Sequence, residues 1–324
     1  MIRIPVEQVQ DVLAAVFIRI GVAPERAALS ARLFVETTRD GVYSHGLNRV
    51  PRFLAMIRSG AVNVRAQAER IAAHGALERW DGKKGVGNLN AYAAMDRAIA
   101  MAREHGLGCV ALANTNHWMR GGTYGWQAAD AGVIGICWTN TLPNLPPWGA
   151  TDPRIGNNPL IVAVPRPAGA VVLDMAMSQF SYGALASYRE RGELLPVDGG
   201  FDREGRLTRD PAAIEGSLRP LPIGFWKGSG LSVLLDATAA LLSGGRATHE
   251  LGLDPLQEVG ISQVFLAFDP AVFGPLGDTV DRIVASLGVR YPGEQVVRIR
   301  AENLAKGLPV DEALWEELRK EAGR

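Results

Sequence analysis

The N-terminal part of the chain shows the hydrophobic spacing of amphipathic helices. Apolar side chains recur there every three or four positions, at Val9, Val12, Leu13, Val16, Phe17 and Ile20. This period places them on one face of a helix, and Gly21 is a suitable stop. A second helix is predicted from near Pro24 to near Asp40, and a polar stretch at 43–49 follows it.

From about residue 70 the pattern changes to short apolar runs separated by Gly and Pro. The runs that predict strands are "CVALAN", "GVIGICWTN", "PLIVAVP", "AVVLDMAM" and "ISQVFLAFD". Helices are predicted among them at 89–104 and 229–243. Only "RPAG" joins the third run to the fourth, which is too short for the crossover that a parallel pair needs. At least part of the sheet must therefore be antiparallel.

After Gly274 the helical pattern returns, through "DRIVASLG" and "DEALWEELRKEAG". The order of elements predicts an α/β protein. We divide it into a helical N-terminal segment at 1–70, a central sheet domain at 71–274 and a C-terminal helical segment at 275–324. The N- and C-terminal helical segments are expected to pack together as a second lobe.

Composition excludes several classes of protein. The chain has 324 residues, 47% hydrophobic and 21% charged, as in ordinary globular proteins. Lys plus Arg and Asp plus Glu both total 34, so the net charge is +0 and no nucleic-acid partner is expected. Neither a signal peptide nor an apolar run long enough for a membrane helix is visible, so we expect no membrane association. Cys109 and Cys137 lie in apolar runs and are expected to be buried thiols, which favours a cytoplasmic location.

Common nucleotide and metal motifs are missing from the sequence. The run Gly85-Val86-Gly87-Asn88-Leu89-Asn90 lacks the third glycine of a Rossmann fingerprint and is better explained as a helix-entry turn. Lys227-Gly228-Ser229-Gly230 does not have the order of a phosphate-binding loop. No His pair has a metal-binding spacing, and Gly-x-Ser-x-Gly is absent. We expect no catalytic metal and no serine nucleophile.

Two of the five histidines stand in polar clusters that suit proton transfer. His45 lies beside Ser44 and a glycine just before a predicted helix, and Arg49 follows four residues later, where it suits a carboxylate. A capped helix start with a surface arginine explains the same residues equally well. His117 follows a strand in "NTNHWMRGG", where a buried aromatic turn is the alternative. The other histidines, at 74, 105 and 249, are expected to be solvated or to cap helices.

At "GVYSHGLNRVPRF" and "NTNHWMRGGTYGWQAADAGVIGICWTN" the chain resembles the malate/L-lactate dehydrogenase family, which lacks a Rossmann fold. The likeness continues through "PPWGATDPRIGNNPLIVAVP", "MSQFSYG", "LPVDGGFDREGRLT" and "RPLPIGFWKGSGLSVLLDATAALLSGG", so it covers nearly the whole chain. It implies an NAD(P)-dependent oxidoreductase of 2-oxo or 2-hydroxy acids that works as a homodimer. The implied fold is α/β and non-Rossmann, a mixed, largely antiparallel central sheet with helical N- and C-terminal segments forming a second lobe.

The resemblance also assigns roles to residues. His45 of the Ser-His-Gly motif is implied to be the proton donor, and Arg49 a ligand of the substrate carboxylate. Ser44 and His117 fall on matching positions of the substrate pocket. The implied cofactor contacts lie on one strand, at one helix start and in a late loop, at Ala170, Val171, Val172, Leu173, Asp174, Met175, Ala176, Trp226, Lys227, Gly293, Glu294 and Gln295.

The chain departs from the family pattern in two places. It has Asn157 in Gly-Asn-Asn-Pro where relatives usually have Thr, and the late loop matches clearly only at Pro292 and Gly293. Likeness to one branch of the family favours NADH over NADPH. The expected substrate is a small 2-oxo acid. Polar residues at 114–120 and 139–144 would suit one with several hydroxyl groups. Malate, lactate and cyclic imine acids remain alternatives. A non-catalytic binding protein is a remote alternative, because Ser44, His45, Arg49 and Lys227 are all intact.

Overall fold

The computed structural model describes residues 1–275 and 277–323. Its helices are α1 Val6–Arg19, α2 Pro24–Arg39, α3 Val50–Arg58, α4 Gly87–His105, α5 Gly122–Asp130, α6 Tyr182–Glu190, α7 Pro211–Ser217, α8 Trp226–Ser243, α9 Thr279–Ser286, α10 Glu294–Lys306 and α11 Glu312–Glu321. Its strands are β1 Ile2–Ile4, β2 Glu69–His74, β3 Leu77–Asp81, β4 Leu107–Asn116, β5 Ile134–Thr139, β6 Leu160–Val164, β7 Val171–Met175, β8 Gly200–Phe201, β9 Leu207–Thr208, β10 Val259–Phe268 and β11 Leu308–Val310.

A central sheet organises the middle of the chain. Within the described residues it has seven strands in the order β2-β3-β4-β10-β5-β6-β7. Every neighbouring pair is antiparallel except β3 with β4. This arrangement confirms the predicted mixed, largely antiparallel and non-Rossmann sheet. The predicted antiparallel link across "RPAG" is the β6–β7 hairpin.

Helices cover both faces of the sheet because side chains alternate between faces along each strand. On one face Val110, Phe265 and other strand residues pack against α4 and α5. On the other face Ala111 and Val264 pack against Leu235 and the rest of the buried side of α8. Both predicted central helices are therefore confirmed, and β4 and β10 lie in the interior.

The N- and C-terminal segments meet in a second lobe. The strands β1 and β11 pair, and the core of the lobe contains residues from α1, α2, α3 and α11. Phe17, Phe34 and Phe53 form its aromatic centre, with ring centroids 5.5–5.7 Å apart. The predicted lobe is confirmed, whereas the boundaries at 70 and 274 stay a prediction.

Several short elements were not predicted. The strands β1 and β11 lie in segments predicted as helical, because three residues are too few to show a period. The edge strand β2 is exposed along its whole length and so lacks the alternation that marks a half-buried strand. No helix in the described ranges has both the length and the apolar character needed to span a bilayer.

Candidate active site

A tight loop between α2 and α3 carries the Ser-His-Gly motif. Single helical turns at Tyr43–His45 and Leu47–Arg49 form it. The amide of Leu47 donates to Thr38 Oγ1 at 2.9 Å, which ties the loop to the end of α2. A Cβ on Gly46 would lie 2.2 Å from the same Thr38 Oγ1. The glycine is therefore required for the loop to close against α2, and this closure fixes the backbone beside His45.

The two candidate histidines face each other. Their rings are stacked, with centroids 5.8 Å apart and planes 23° apart. Ser44 Oγ lies 2.9 Å from His45 Nδ1, so the hydroxyl can donate to the neutral ring or accept from the protonated one. His117 Nδ1 accepts from the amide of Met119 at 3.0 Å, so the neutral ring carries its proton on Nε2. Met119 has a φ of +67°, a left-handed conformation that is strained for this residue.

Positive charge surrounds these rings. Arg49 Nη2 lies 3.6 Å from Glu258 Oε2, and Arg52 Nη2 lies 3.4 Å from the same oxygen. Burial lowers the pKa of Arg49 to about 10, which leaves the guanidinium charged at neutral pH. Burial raises the pKa of Glu258, although the two arginines oppose that shift.

This environment favours the neutral form of both histidines. Burial, followed by the charges of Arg49, Arg120 and Arg52, lowers the pKa of His45 to about 4. The pKa of His117 is also held well below its ordinary value, first by burial and then by Arg49 and His45. A negatively charged ligand beside the arginines would counteract the part of this shift that is due to charge.

A buried ion cluster supports the site from behind. Asp40, at the end of α2, accepts from Arg120 Nη1 at 2.7 Å and from Arg300 Nε and Nη2 at 2.7 Å each. Arg120 Nε lies 3.8 Å from Asp174 Oδ2, and that oxygen also accepts from the amide of Gly122 at 2.9 Å. The cluster thus connects α2, the loop after His117, strand β7 and helix α10.

The three predicted cofactor segments lie along β7, which is an edge strand of the sheet. Near one end the amide of Val172 donates to the carbonyl of Pro292 at 3.0 Å, which brings the late loop alongside. Beyond the other end the amide of Ile223 donates to Met177 O at 2.7 Å, just before Trp226 and Lys227. The late loop and the segment before α8 therefore flank β7 at its two ends, and we call these three segments the candidate cofactor surface. Ala170 and Val172 are buried within it, whereas Trp226 is 66% exposed.

Three features of this surface fit an extended polar ligand such as a dinucleotide. A Cβ on Gly293 would lie 3.2 Å from the amide nitrogen of Val172, so the close approach there needs glycine. Ser178 Oγ is buried and has no hydrogen-bond partner in the described part of the chain. Phe225, beside Trp226, has a φ of +58°, which marks a strained turn at the start of α8.

The loop that carries the Ser-His-Gly motif also contacts the segment that follows β7. A Cβ on Gly183, near the start of α6, would lie 2.7 Å from Ser44 Oγ. The fold therefore brings Ser44, His45, Arg49 and His117 close together, and Ser44 lies against the start of α6, the helix that follows β7.

The polar residues at 139–144 have a structural role. The side chain of Asn140 donates to Asp236 Oδ1 and to the carbonyl of Arg246, and it accepts from the amide of Ser262. Asn157 Oδ1 accepts from Thr141 Oγ1 at 3.2 Å. These side chains already form hydrogen bonds within the protein. The expectation that the stretch at 139–144 offers hydrogen-bond partners to substrate hydroxyls is therefore not supported.

Sequence reasoning missed several charged residues of the pocket. Arg52 could have been predicted from the sequence, because it follows Arg49 by three positions at a helix start and so lies on the same face of the helix. Glu258, Asp40 and Arg300 gave no local signal, because they reach the pocket through contacts with residues far away in the sequence.

Comparisons with known proteins bear on the family and the fold of this chain. The family model described as malate/L-lactate dehydrogenase matches residues 4–319. The chain is 46% and 47% identical to the 2,3-diketo-L-gulonate reductases of Escherichia fergusonii and Escherichia coli, in each case over 98% of this chain and 99% of the relative. The crystal structure of delta1-piperideine-2-carboxylate reductase from Pseudomonas syringae superposes with a TM-score of 0.90 at 29% identity, covering 99% of this chain and 100% of that one.

Proposed function

Because this chain belongs to the malate/L-lactate dehydrogenase family and is an oxidoreductase, we propose that it reduces 2,3-diketo-L-gulonate to 3-keto-L-gulonate with NADH. The observation that carries the substrate is the identity of 46–47% along the whole length of relatives with that name. The pocket supports the reaction type, since it joins a candidate acid, His45, to a candidate carboxylate ligand, Arg49.

In the proposed reaction Arg49 pairs with the substrate carboxylate and so fixes the neighbouring carbonyl beside His45. A bound nicotinamide cofactor supplies the hydride. His45 donates a proton to the carbonyl oxygen as negative charge develops on it, and Ser44 orients the ring by bonding to Nδ1. His117 can donate a second hydrogen bond to the substrate from Nε2, because Nδ1 is occupied by the amide of Met119.

The residues along β7 and the two segments beside it would hold the cofactor. The twelve include two carboxylates, Asp174 and Glu294, and one cation, Lys227. This balance disfavours the extra phosphate of NADPH and, together with the likeness to the reductases, supports NADH.

The oxidation of NADH and of NADPH by the purified protein tests the proposal. It should be followed separately with 2,3-diketo-L-gulonate, oxaloacetate, pyruvate and a cyclic imine acid. We expect fast oxidation with diketogulonate and NADH. Faster oxidation with the cyclic imine acid would instead favour a substrate of the kind named for the Pseudomonas syringae reductase. No oxidation with any pair would refute the proposed activity.

Replacing Arg49 by alanine is expected to raise KM for the 2-oxo acid by about 100-fold, because a charged hydrogen-bonded pair contributes roughly 2–3 kcal/mol. The Kd of NADH should stay within about twofold. Steady-state kinetics and cofactor fluorescence measure the two quantities. Arg58→Ala, at the exposed end of α3, is the control. An unchanged KM in Arg49→Ala would exclude Arg49 as the carboxylate ligand.

We also propose that the protein is a homodimer, as the family resemblance implies. Helix α8 supports this, because Leu231, Leu234 and Leu241 are 37%, 65% and 77% exposed along its outer side. Contiguous exposed apolar surface of this kind marks an interaction site. The double variant Leu234→Glu, Leu241→Glu should be a monomer by light scattering. Leu304→Glu, on α10 and also exposed, should not change the mass. A wild-type protein with the mass of one chain would refute the dimer.

A further inference from the structure

Helix α6 begins against the hydroxyl group that contacts His45. A Cβ added to Gly183, the second residue of α6, would lie 2.7 Å from Ser44 Oγ and 3.3 Å from Ser44 Cβ. The same Oγ lies 2.9 Å from His45 Nδ1. The serine oxygen therefore reaches the imidazole through space that any residue with a Cβ at this position of α6 would occupy.

The backbone of Gly183 does not itself require glycine. The residue is helical and its φ lies outside the left-handed region, so alanine could adopt the same conformation. Alanine is also the better helix former, because glycine loses more conformational entropy when it folds. The glycine thus weakens α6 locally, and the close approach of Ser44 explains why it is there.

Contacts of its own hold the start of α6 in place. The hydroxyl of Tyr182 donates to the carbonyl of Asn144 at 3.1 Å. One turn further, Leu185 is fully buried in a small core that also contains Leu195. A methyl group on the glycine would therefore displace the side chain of Ser44 rather than the helix.

The side chain of Ser44 can give way by rotation about a single bond. Its staggered rotamers are about 120° apart, so a change of rotamer moves Oγ by about 2 Å. That movement breaks the hydrogen bond with His45 Nδ1 and leaves the backbone of the loop where it is. A methyl group at this point would thus cost little stability and would remove the contact that orients the imidazole.

We propose that Gly183 is a positioning residue, which leaves Ser44 Oγ the space to bond His45 and so orients the proton donor. The inference rests on the proposed function, because it takes His45 as that donor. Gly183 acts only through Ser44. Residues 176–181 alone join β7 to α6, so the same contact also fixes the loop of His45 relative to the candidate cofactor surface.

A double-mutant cycle of Gly183→Ala and Ser44→Ala tests the inference, with kcat for the 2-oxo acid as the readout. Gly183→Ala should lower kcat by about tenfold, because the imidazole loses its hydrogen bond. In the Ser44→Ala background the same change should alter kcat by less than about twofold, since the oxygen that the methyl group would meet is already absent. KM in Gly183→Ala should stay within about twofold of the wild type.

Gly216→Ala is the matched control. This glycine is also helical, in α7, but the nearest atom to an added Cβ is 3.8 Å away. The variant should keep the kcat of the wild type.

Nitrogen-15 NMR of the protein labelled at histidine gives a readout that needs no activity. The Nδ1 signal of His45 is assigned by its loss in His45→Ala. Gly183→Ala and Ser44→Ala should shift this signal in the same direction and by a similar amount, whereas Gly216→Ala should not shift it. A change in α6 that did not act through the serine hydroxyl would not reproduce the shift of Ser44→Ala.

Three results would overturn the inference. One is an unchanged Nδ1 signal in folded Gly183→Ala, and another is a double variant in which the two losses of kcat multiply. The third is failure of Gly183→Ala to fold in both backgrounds, because the serine oxygen would then not be the atom that the methyl group meets.

The outcomes separate this inference from the proposed function. A wild-type protein that reduces none of the offered acids, but in which Gly183→Ala and Ser44→Ala shift the Nδ1 signal alike, refutes the reductase activity and retains the role of Gly183. A protein that reduces diketogulonate, and in which Gly183→Ala keeps the kcat and the Nδ1 signal of the wild type, retains the activity and refutes the role.

Discussion

Replacing His45 by alanine is expected to lower kcat for the reduction by about 10² to 10⁴-fold, the usual contribution of a general acid. The alkoxide that forms at the substrate carbonyl would then have to take its proton from water. The Kd of NADH should change little, because the cofactor segments lie along β7 and not in the loop of His45. Single-turnover oxidation of NADH measures the chemical step, and quenching of cofactor fluorescence measures the binding.

His74→Ala is the matched control, since that histidine is exposed on the edge strand β2. It should keep the kcat of the wild type. A kcat in His45→Ala within about threefold of the wild type would rule out His45 as the proton donor, because a general acid contributes far more than that.

The pH dependence of the rate is a second test of His45 as the proton donor. Reduction needs the protonated ring, so the rate falls as pH rises through the pKa of His45. Burial and the charges of three arginines lower that pKa to about 4. A substrate carboxylate beside Arg49 offsets part of this positive charge and so raises the pKa in the complex. The basic limb of kcat should therefore lie at higher pH than that of kcat/KM, and His45→Ala should lose both limbs.

The part of the site that sequence could predict is local. Ser44, His45 and Arg49 lie within six residues, and their chemistry is visible because neighbours in a tight loop must meet. His117 was found by its position after a strand. The strands β4 to β7 and β10 were predictable, since they are apolar runs bounded by Gly and Pro, and all of them except the edge strand β7 are largely buried. That pattern follows from burial and needs no knowledge of the partners.

The charges that control these residues were not predictable in the same way. Glu258 meets Arg52 across 206 positions, and Arg300 meets Asp40 across 260. No period or motif in the sequence indicates such a contact, because it forms only once these distant segments have packed together. A single sequence can thus identify His45 as a candidate acid and Arg49 as a candidate carboxylate ligand. The electrostatic field that sets the pKa of His45 becomes visible only in the folded structure.

The cluster around Asp40 is one of these long-range charge contacts that stabilise the fold. Its carboxylate is 3% exposed and pairs with Arg120, whose side chain is 4% exposed. Hydrogen bonding and charge from the arginines outweigh burial and lower the pKa of Asp40 to about 2. Because this folded-state pKa lies below the unfolded one, the ionised group stabilises the fold above about pH 4, by roughly 2–3 kcal/mol. That contribution is lost as the pH falls from about 4 toward 2.

Asp40→Asn is therefore expected to lower the free energy of unfolding at neutral pH by about 3–5 kcal/mol, because it removes the carboxylate that pairs with the buried guanidinium of Arg120. Urea unfolding at one fixed protein concentration measures the loss. The difference from the wild type should shrink as the pH falls below about 4, where the wild-type carboxylate begins to lose its charge. Asp152→Asn, which removes an exposed partner of Arg219, should cost less than about 1 kcal/mol. A loss equally small in Asp40→Asn, or one independent of pH, would show that the cluster does not hold the two lobes together through this charge.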